Sequence, residues 1–268
     1  MKKSEKDDMG FLDHLEELRW VLVRATVSVL VVSVVAFIFS DFIFNHIILL
    51  PKSPNFFTNR VLCLLGHRLN SASLCINSSP LKIININMAG QFNTHIMVSV
   101  YVGFIVAFPF VALQFWQFVK PALNDIERRR TRGAVFYISA LFILGVLFGY
   151  YIISPLTIHF FGSYSVSQEV TNQINIGSYI GSVASVTLAT GLLFELPILI
   201  VFLTKAGIVT PQFLKKYRKH TFILIMVVAA IITPPDVLSL LLVCVPLWLL
   251  FEVSIVISAR LYRRNLKA

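Results

Sequence analysis

Six long apolar stretches constrain the fold of this 268-residue chain more than any other feature. A helix rises about 1.5 Å per residue, so about 20 apolar residues cross the ~30 Å hydrocarbon core of a bilayer. With 57% apolar and 13% charged residues, the composition excludes a soluble enzyme, a disordered chain and a fibrous protein. We therefore predict an all-α polytopic membrane protein with six transmembrane helices, at 20–39, about 95–119, about 134–158, about 180–203, 221–232 and 237 to about 259.

The fifth stretch is anomalous because it is too short for an ordinary span. Only 12 residues separate His220 from Thr233, which corresponds to roughly 18 Å of helix. A re-entrant segment is one interpretation of such a length. We nevertheless expect a crossing, because basic clusters precede this stretch and follow the next one. The prediction is a short fifth and a short sixth helix, joined by a tight corner, in a locally thinned bilayer.

The distribution of basic residues predicts the orientation in the membrane. The chain has 23 Lys and Arg against 13 Asp and Glu, a net charge of +10. If the N-terminus is inside, 19 of these cations fall on the inner side and 4 on the outer side. Such a bias is typical of cytoplasmic loops, so we expect both termini in the cytoplasm. It also accounts for the basic charge without a nucleic-acid partner.

We predict a single membrane domain over 1–268, in which polar segments flank and connect the spans. They are a cytoplasmic amphipathic segment at 1–19, an outer cap at 45–94, and cytoplasmic loops at 120–133 and 204–220. Cys63 and Cys75 both fall in the outer cap. An oxidising outer compartment favours a disulfide between them, and two free thiols are the alternative.

Four glutamates are the candidate functional groups, because the sequence has no metal-ligand spacing, phosphate-binding glycine loop or nucleophile elbow. We expect no catalytic residue, metal or cofactor. Glu17 and Glu127 lie near the predicted inner surface, where a carboxylate can hold a guanidinium by two parallel hydrogen bonds. Glu195 and Glu252 lie inside apolar spans, at a cost of about 2.5–3.5 kcal/mol that marks a functional candidate. Solvated or helix-packing roles are the alternatives.

Four motifs occur in order along nearly the whole chain. The first is His14-Leu15-Glu16-Glu17-Leu18-Arg19. The second is Pro109-x-x-x-x-Gln114-x-Trp116-x-Phe118-x-x-Pro121-Ala122-Leu123-x-x-x-Glu127-Arg128-Arg129. The third is Phe194-Glu195-x-Pro197, and the fourth is Thr233-Pro234-Pro235-Asp236 followed by Leu250-Phe251-Glu252. Together they resemble the motifs of the TatC family, the multispanning receptor subunits of twin-arginine protein translocases.

The resemblance implies a glove-shaped, six-helix protein of the bacterial inner membrane with both termini cytoplasmic. It also implies binding of twin-arginine signal peptides, a homo-oligomeric complex with small single-span TatA/TatB-type subunits, and export of folded proteins by the proton-motive force. The signal-peptide contacts that it implies are Glu17, Arg19, Phe118, Glu127, Arg128 and Arg129. The partner or pocket residues are Glu195, Pro197, Pro109, Gln114, Thr233, Pro234, Pro235 and Asp236.

Two other functional classes are alternatives to a translocase receptor. A proton-coupled transporter of small solutes would use Glu195 and Glu252 as proton sites, but the sequence has no evident internal repeat and few polar residues for a solute site. A membrane-embedded enzyme would need a catalytic set that the sequence lacks. We therefore expect a receptor, with the transporter as the alternative.

Overall fold

The computed structural model describes residues 11–68, 70, 75–77, 81–119, 133–167, 169, 172–205 and 207–265. This part of the chain is predominantly helical. Its helices are α1 (Phe11–Ile38), α2 (Ser40–Ile43), α3 (Phe57–Arg68), α4 (Gly90–Val119), α5 (Ala134–Phe148), α6 (Ser154–Ser163), α7 (Ile176–Leu193), α8 (Leu196–Lys205), α9 (Pro211–Lys216), α10 (Arg218–Ile232) and α11 (Val237–Asn265). A π-helical turn, Phe44–Ile48, and a 3-10 turn, Leu50–Lys52, follow α2.

The segments that precede α4 and α7 form a small parallel sheet in the predicted outer cap. Strand β1 (Ile83–Ile84) pairs with β2 (Ile174–Asn175), which leads directly into α7. The side chain of Asn175 accepts a hydrogen bond from the backbone N–H of Gly177, at 2.8 Å, and so caps the start of α7. The sheet therefore ties the outer cap to the beginning of a membrane helix.

Helices α1 and α4 form the most extensive helix pair and run antiparallel. The ring of His95 stacks on Phe37 at 3.8 Å between centroids, and His95 Nε2 lies 3.0 Å from the backbone oxygen of Phe37. Eight residues further along α4, a Cβ at Gly103 would overlap with Ser33 of α1. Glycine thus lets the two backbones approach closely, as is common where helices cross in membranes.

Small residues also allow α5 to cross α7. Gly145 in α5 and Gly149 in the following π-helical turn, Gly149–Ile153, face Thr190 and neighbouring residues of α7, and a Cβ at either glycine would overlap with α7. The gap between the helices is filled on one side by Phe142, which is fully buried and stacks on Phe108. The backbones of α5 and α7 therefore approach each other closely.

Helix α11 forms the core of the C-terminal half. Its buried residues Val243, Leu247, Phe251 and Ile255 pack in one cluster with side chains from α7, α8 and α10. The hydroxyl groups of Thr204 in α8 and Ser258 in α11 are 2.8 Å apart and hydrogen-bond to each other, so both buried polar groups have a partner. The C-terminal helices therefore pack as one unit on α8.

Five helices or helix pairs of the described chain are long and apolar enough to cross a membrane: Leu15–Ile38, Gly90–Val119, Ala134–Ser163, Ile176–Lys205 and Val237–Arg263. The short helix predicted between the last two is present as α10, which has 15 residues. The predicted all-α polytopic membrane fold is confirmed.

Two details of that prediction need correction. The sixth helix is not short, because α11 runs for 29 residues. Pro246 lies inside α11 without ending it, since neighbouring helices can compensate for a missing backbone hydrogen bond in a membrane. The fourth span is also not continuous, because it divides into α7 and α8 at a turn formed by Phe194 and Glu195.

The outer cap is held together by buried asparagines and a disulfide. Asn59 of α3 donates hydrogen bonds to the backbone oxygens of Pro51 and Ser53, and Asn77 donates to that of Pro155 at the start of α6. A disulfide joins Cys63 to Cys75. These contacts connect the cap to the start of α6.

Candidate functional site

The inner ends of α1 and α4 bring together two of the predicted signal-peptide residues. Glu17 lies 16 residues before Ser33 on α1, and Phe118 lies 15 residues after Gly103 on α4. Because Ser33 and Gly103 touch and the helices are antiparallel, these nearly equal distances place Glu17 and Phe118 at the same level. Together with Arg19, which is exposed two residues further along α1, they form what we call the inner-end site.

Neighbouring glutamates of the inner-end site differ in their surroundings. Glu16 is exposed and lies 3.4 Å from the guanidinium of Arg19. Glu17 is half-buried, and its Oε2 atom is fully shielded without accepting a hydrogen bond in the described part of the chain. A buried acceptor of this kind costs about 1–3 kcal/mol until a donor reaches it. Glu17 is therefore an open acceptor, whereas Glu16 is paired.

Three further predicted contact residues belong to the connection that follows α4. Glu127, Arg128 and Arg129 lie outside the described residues. Helix α4 ends at Val119 and α5 begins at Ala134, so this connection starts and finishes at the same side of the bundle as the inner-end site.

An apolar groove lies within the membrane-spanning part of the bundle, and Glu195 opens into it. The groove has a volume of about 540 Å³ and is formed by α4, α5, the end of α7 and α8. Glu195 is the one carboxylate among the described residues that line it. The others are Phe104, Phe108, Val111, Ala112, Phe115, Trp116, Val119, Ile138, Leu192, Ile198, Leu199 and Phe202. We call this the Glu195 groove.

The break between α7 and α8 puts Glu195 at the groove. Pro197 has no backbone N–H, so it cannot continue the helical hydrogen bonding of α7. The chain instead turns, with the N–H of Glu195 bonded to Leu192 and the carbonyl of Glu195 accepting from Ile198 and Leu199. The Oε1 atom of Glu195 is buried and accepts no hydrogen bond from any described residue. The groove thus contains a second open acceptor.

The remaining predicted pocket residues are not among the residues that line the Glu195 groove. Pro109 is half-buried inside an uninterrupted α4, and Gln114, 6% exposed, is also on α4. Thr233, Pro234, Pro235 and Asp236 form the corner between α10 and α11, where Asp236 caps α11 by accepting a hydrogen bond from Ser239 at 2.7 Å. The sequence analysis missed the aromatic wall of the groove, although Phe104, Phe108 and Phe115 recur at helical spacing.

Glu252 has a partner and lies away from both sites. Its Oε2 atom is 2.6 Å from the guanidinium of Arg218, the first residue of α10. The pair joins α10 to α11 and satisfies the carboxylate within the described structure. The sequence-based alternative that Glu252 has a helix-packing role fits this contact.

These features define a polytopic helical membrane protein in which the inner-end site and the Glu195 groove each present an acceptor without a described donor. Comparison with known proteins identifies the family to which the chain belongs within this class. The family model for TatC, the Sec-independent protein translocase protein, matches residues 13–246. The chain therefore belongs to the TatC family.

Individual relatives agree over nearly full length. The TatC of Blattabacterium sp. subsp. Periplaneta americana is 39% identical over 96% of this chain and 97% of its own length. The TatC of Aquifex aeolicus is 32% identical over 96% and 98%. Two crystal structures titled as the twin-arginine translocase receptor TatC superpose with TM-scores of 0.65 and 0.70, at 31% and 32% identity. Each covers 91% of this chain, and the matched regions are 97% and 99% of those chains.

Family membership decides between the functional classes that the sequence left open. The chain is a protein-translocase component and not an enzyme. The small-solute transporter is not supported by any of these matches, and Glu252, one of its two proton sites, is paired with Arg218.

Proposed function

We propose that this chain is the receptor subunit of a twin-arginine translocase. It binds twin-arginine signal peptides at the inner-end site and, with small single-span TatA/TatB-type subunits, exports folded proteins by the proton-motive force. The observation that supports this most strongly is the shielded Oε2 of Glu17, which accepts no hydrogen bond from the described residues and lies at the level of Phe118. A guanidinium supplies the donors that such an acceptor lacks.

Two arginines in a ligand need two carboxylates, and we assign these roles to Glu17 and Glu127. An arginine fork binds a carboxylate in two parallel hydrogen bonds, which gives both affinity and orientation. Phe118 lies at the level of Glu17 and contributes apolar surface to the proposed site. Arg19 follows Glu17 in the sequence and Arg128 and Arg129 follow Glu127, so a ligand cation is favoured only where it reaches a carboxylate directly.

The Glu195 groove is the proposed docking site for the helix of a single-span partner. Its walls are apolar and aromatic, while Glu195 offers one buried acceptor to a polar group on the partner helix. In this proposal Pro197 positions Glu195, and Pro109 and Gln114 shape α4 behind the groove. The corner at Thr233, Pro234, Pro235 and Asp236 joins α10 to α11 and does not line the groove.

The proposed location is the bacterial inner membrane with both termini in the cytoplasm, in a homo-oligomeric complex. The support is the charge bias, with 19 of 23 cations on the side that would face the cytoplasm. In this orientation the inner-end site faces the compartment in which cargo folds.

Photo-crosslinking of a twin-arginine peptide to membranes that contain the full chain tests the proposal. The variants Glu17→Gln and Glu127→Gln are expected to lose the crosslink, while Glu16→Gln, the matched control beside Glu17, is expected to retain it. A peptide with two lysines in place of the arginines controls for simple charge attraction. Equal crosslinking of the Glu16 and Glu17 variants would contradict the proposed site.

A further inference from the structure

Two cysteines and a histidine meet in the outer cap, and none of them belongs to the inner-end site or the Glu195 groove. Cys63 and His67 are four residues apart on α3, so their side chains lie on the same face of that helix. Cys75 follows α3 in the sequence and is joined to Cys63 by the disulfide. The two sulfur atoms and a ring nitrogen of His67 all lie within 4.8 Å of one another. We call these three side chains the cap cluster.

The cap cluster has the donor atoms of a site for a thiophilic metal ion. Thiolate sulfur and imidazole nitrogen are the ligands of protein-bound Zn²⁺, whereas Mg²⁺ and Ca²⁺ prefer oxygen. In a tetrahedral zinc site, two sulfurs that are each about 2.3 Å from the metal are roughly 3.8 Å apart. The three donor atoms of the cluster occupy a region of this size. Once the S–S bond is open, small side-chain movements are therefore enough to surround an ion.

The cap cluster is accessible to an ion from solution. His67 is exposed, and both cysteines are half-buried. Three protein ligands leave one position of a tetrahedral zinc ion for a water molecule, and the exposed side of the cluster provides it. Within the described ranges of the chain, no other three His, Cys, Asp or Glu side chains bring their donor atoms as close together. The cluster is thus the best-formed candidate metal site in this part of the protein.

From this arrangement we propose that the cap cluster binds one Zn²⁺ ion when its cysteines are reduced. Cys63 and Cys75 bind as thiolates, His67 binds through a neutral ring nitrogen, and water completes the coordination. A dithiol reductant first transfers two electrons and two protons to the Cys63–Cys75 bond and itself becomes a disulfide. The ion then displaces one proton from each of the two thiols, and both protons pass to the solvent.

Zinc and the disulfide are alternative cross-links of the same two segments of the cap. Cys63 belongs to α3, whereas Cys75 lies two residues before Asn77, which donates a hydrogen bond to the backbone oxygen of Pro155 in α6. Either cross-link therefore holds α3 against the segment that is attached to α6. The sequence analysis expected no metal, because the ligand set depends on the fold that brings Cys75 back to α3. This inference does not depend on signal-peptide binding, so the two proposals can fail separately.

Zinc binding by the full chain in detergent tests the proposal. The protein is reduced with a phosphine without oxygen, separated from the reductant, and titrated with Zn²⁺ against a chromophoric chelator. We expect one zinc ion per reduced chain and none in the oxidised chain, because sulfurs joined in a disulfide offer no thiolate. The reduced Cys63→Ser/Cys75→Ser variant should not retain the ion.

Single variants separate the cap cluster from other thiols and imidazoles of the chain. His67→Asn should lower the zinc affinity at least about tenfold, since even the loss of an outer-shell partner costs that much. Cys244→Ser removes the buried free thiol of α11, and His46→Asn removes another exposed imidazole. Both control variants should bind zinc as the wild type does. Thermal unfolding of each variant in the oxidised or metal-free form confirms that it is folded.

Cobalt substitution identifies the ligands in the wild type without relying on any variant. Co²⁺ in a tetrahedral site with thiolate ligands absorbs strongly in the visible and near-ultraviolet range, unlike octahedral Co²⁺ in water. We expect this spectrum in the reduced protein only. Absence of zinc from the reduced wild type, or equal binding by the reduced and oxidised forms, would overturn the proposal. So would an unchanged affinity in folded His67→Asn protein, or an octahedral cobalt spectrum in the reduced wild type.

Discussion

Two helix pairs, α1–α4 and α10–α11, each contain a carboxylate, and the two carboxylates differ in their hydrogen bonding. At α10–α11, Glu252 receives a hydrogen bond from Arg218 at 2.6 Å, and the pair connects the helices. At α1–α4, Glu17 keeps a shielded oxygen that no described residue reaches. One carboxylate thus has a donor within the described structure and the other does not, and in our proposal the second binds a ligand. The presence of a donor around a carboxylate, rather than its depth, distinguishes the two roles in this proposal.

The sharpest test of this difference is to neutralise both carboxylates and measure peptide binding. Glu17→Gln should weaken binding of a twin-arginine peptide roughly 10- to 100-fold, because a hydrogen bond to a charged group contributes about 1.5–3 kcal/mol. Glu252→Gln should leave binding unchanged, since Arg218 already occupies that carboxylate. Fluorescence anisotropy with a labelled peptide in nanodiscs measures both. An equal loss of peptide affinity in the two variants would contradict the proposed difference between Glu17 and Glu252.

The position of Glu17 depends on the close contact of α1 with α4, which can be disrupted separately. Gly103→Val should lower stability by about 1–3 kcal/mol, because the new side chain overlaps with Ser33. Thermal unfolding in detergent measures the effect, and peptide binding should fall with it. Gly181→Ala is the control, because Gly181 has open space at its Cβ position. Loss of stability in the control and not in Gly103→Val would contradict the packing argument.

Glu195 extends the comparison into the membrane. Its open oxygen should accept a hydrogen bond from a partner helix, and such bonds contribute about 0.6–2 kcal/mol in membranes. Glu195→Leu should therefore reduce site-specific crosslinks between the groove and a single-span partner by roughly three- to thirtyfold. The matched variant Glu252→Leu should have no effect on these crosslinks. Partner crosslinks that persist fully in Glu195→Leu would show that apolar packing is sufficient for docking.

The smallest effect is expected from the satisfied pair. Arg218 and Glu252 are both partly exposed, with side-chain accessibilities of 44% and 30%, so solvent screens their attraction. Arg218→Gln should lower the free energy of unfolding by about 1 kcal/mol or less. The charge-swapped double variant Arg218→Glu/Glu252→Arg should recover part of that loss. A large loss in Arg218→Gln that the swap does not recover would mean that Arg218 has another role.

The sequence was sufficient to predict the class of fold because the membrane leaves few choices. Apolar length identifies spanning helices, and the missing N–H of Pro197 predicts a bend near Glu195. The division of that span into α7 and α8 was not predicted, since a proline can either kink a helix or end it. The length of α11 was also missed, because the corner before it indicated a short hairpin and Pro246 does not stop the helix.

The partners of individual carboxylates were beyond the sequence for a different reason. Arg218 and Glu252 are 34 residues apart, and only the packing of α10 on α11 brings them into contact. Similarly, Glu16 and Glu17 are the same type of residue and adjacent in the chain, so their sequence positions alone do not distinguish them. The helix orientation decides that one is exposed beside Arg19 and the other is half-buried. Motif resemblance indicated Glu17, but only the structure gives a physical reason for the choice.

The central claim is that Glu17 at the predicted inner end of α1 and Glu127 in the connection after α4 bind the arginine pair of an export signal. The most direct measurement is the affinity of a twin-arginine peptide for a Glu17→Gln/Glu127→Gln double variant in nanodiscs, with thermal unfolding as the folding control. The account predicts a folded protein whose affinity falls to that of a twin-lysine peptide for the wild type. A folded double variant that binds the twin-arginine peptide as tightly as the wild type would contradict it.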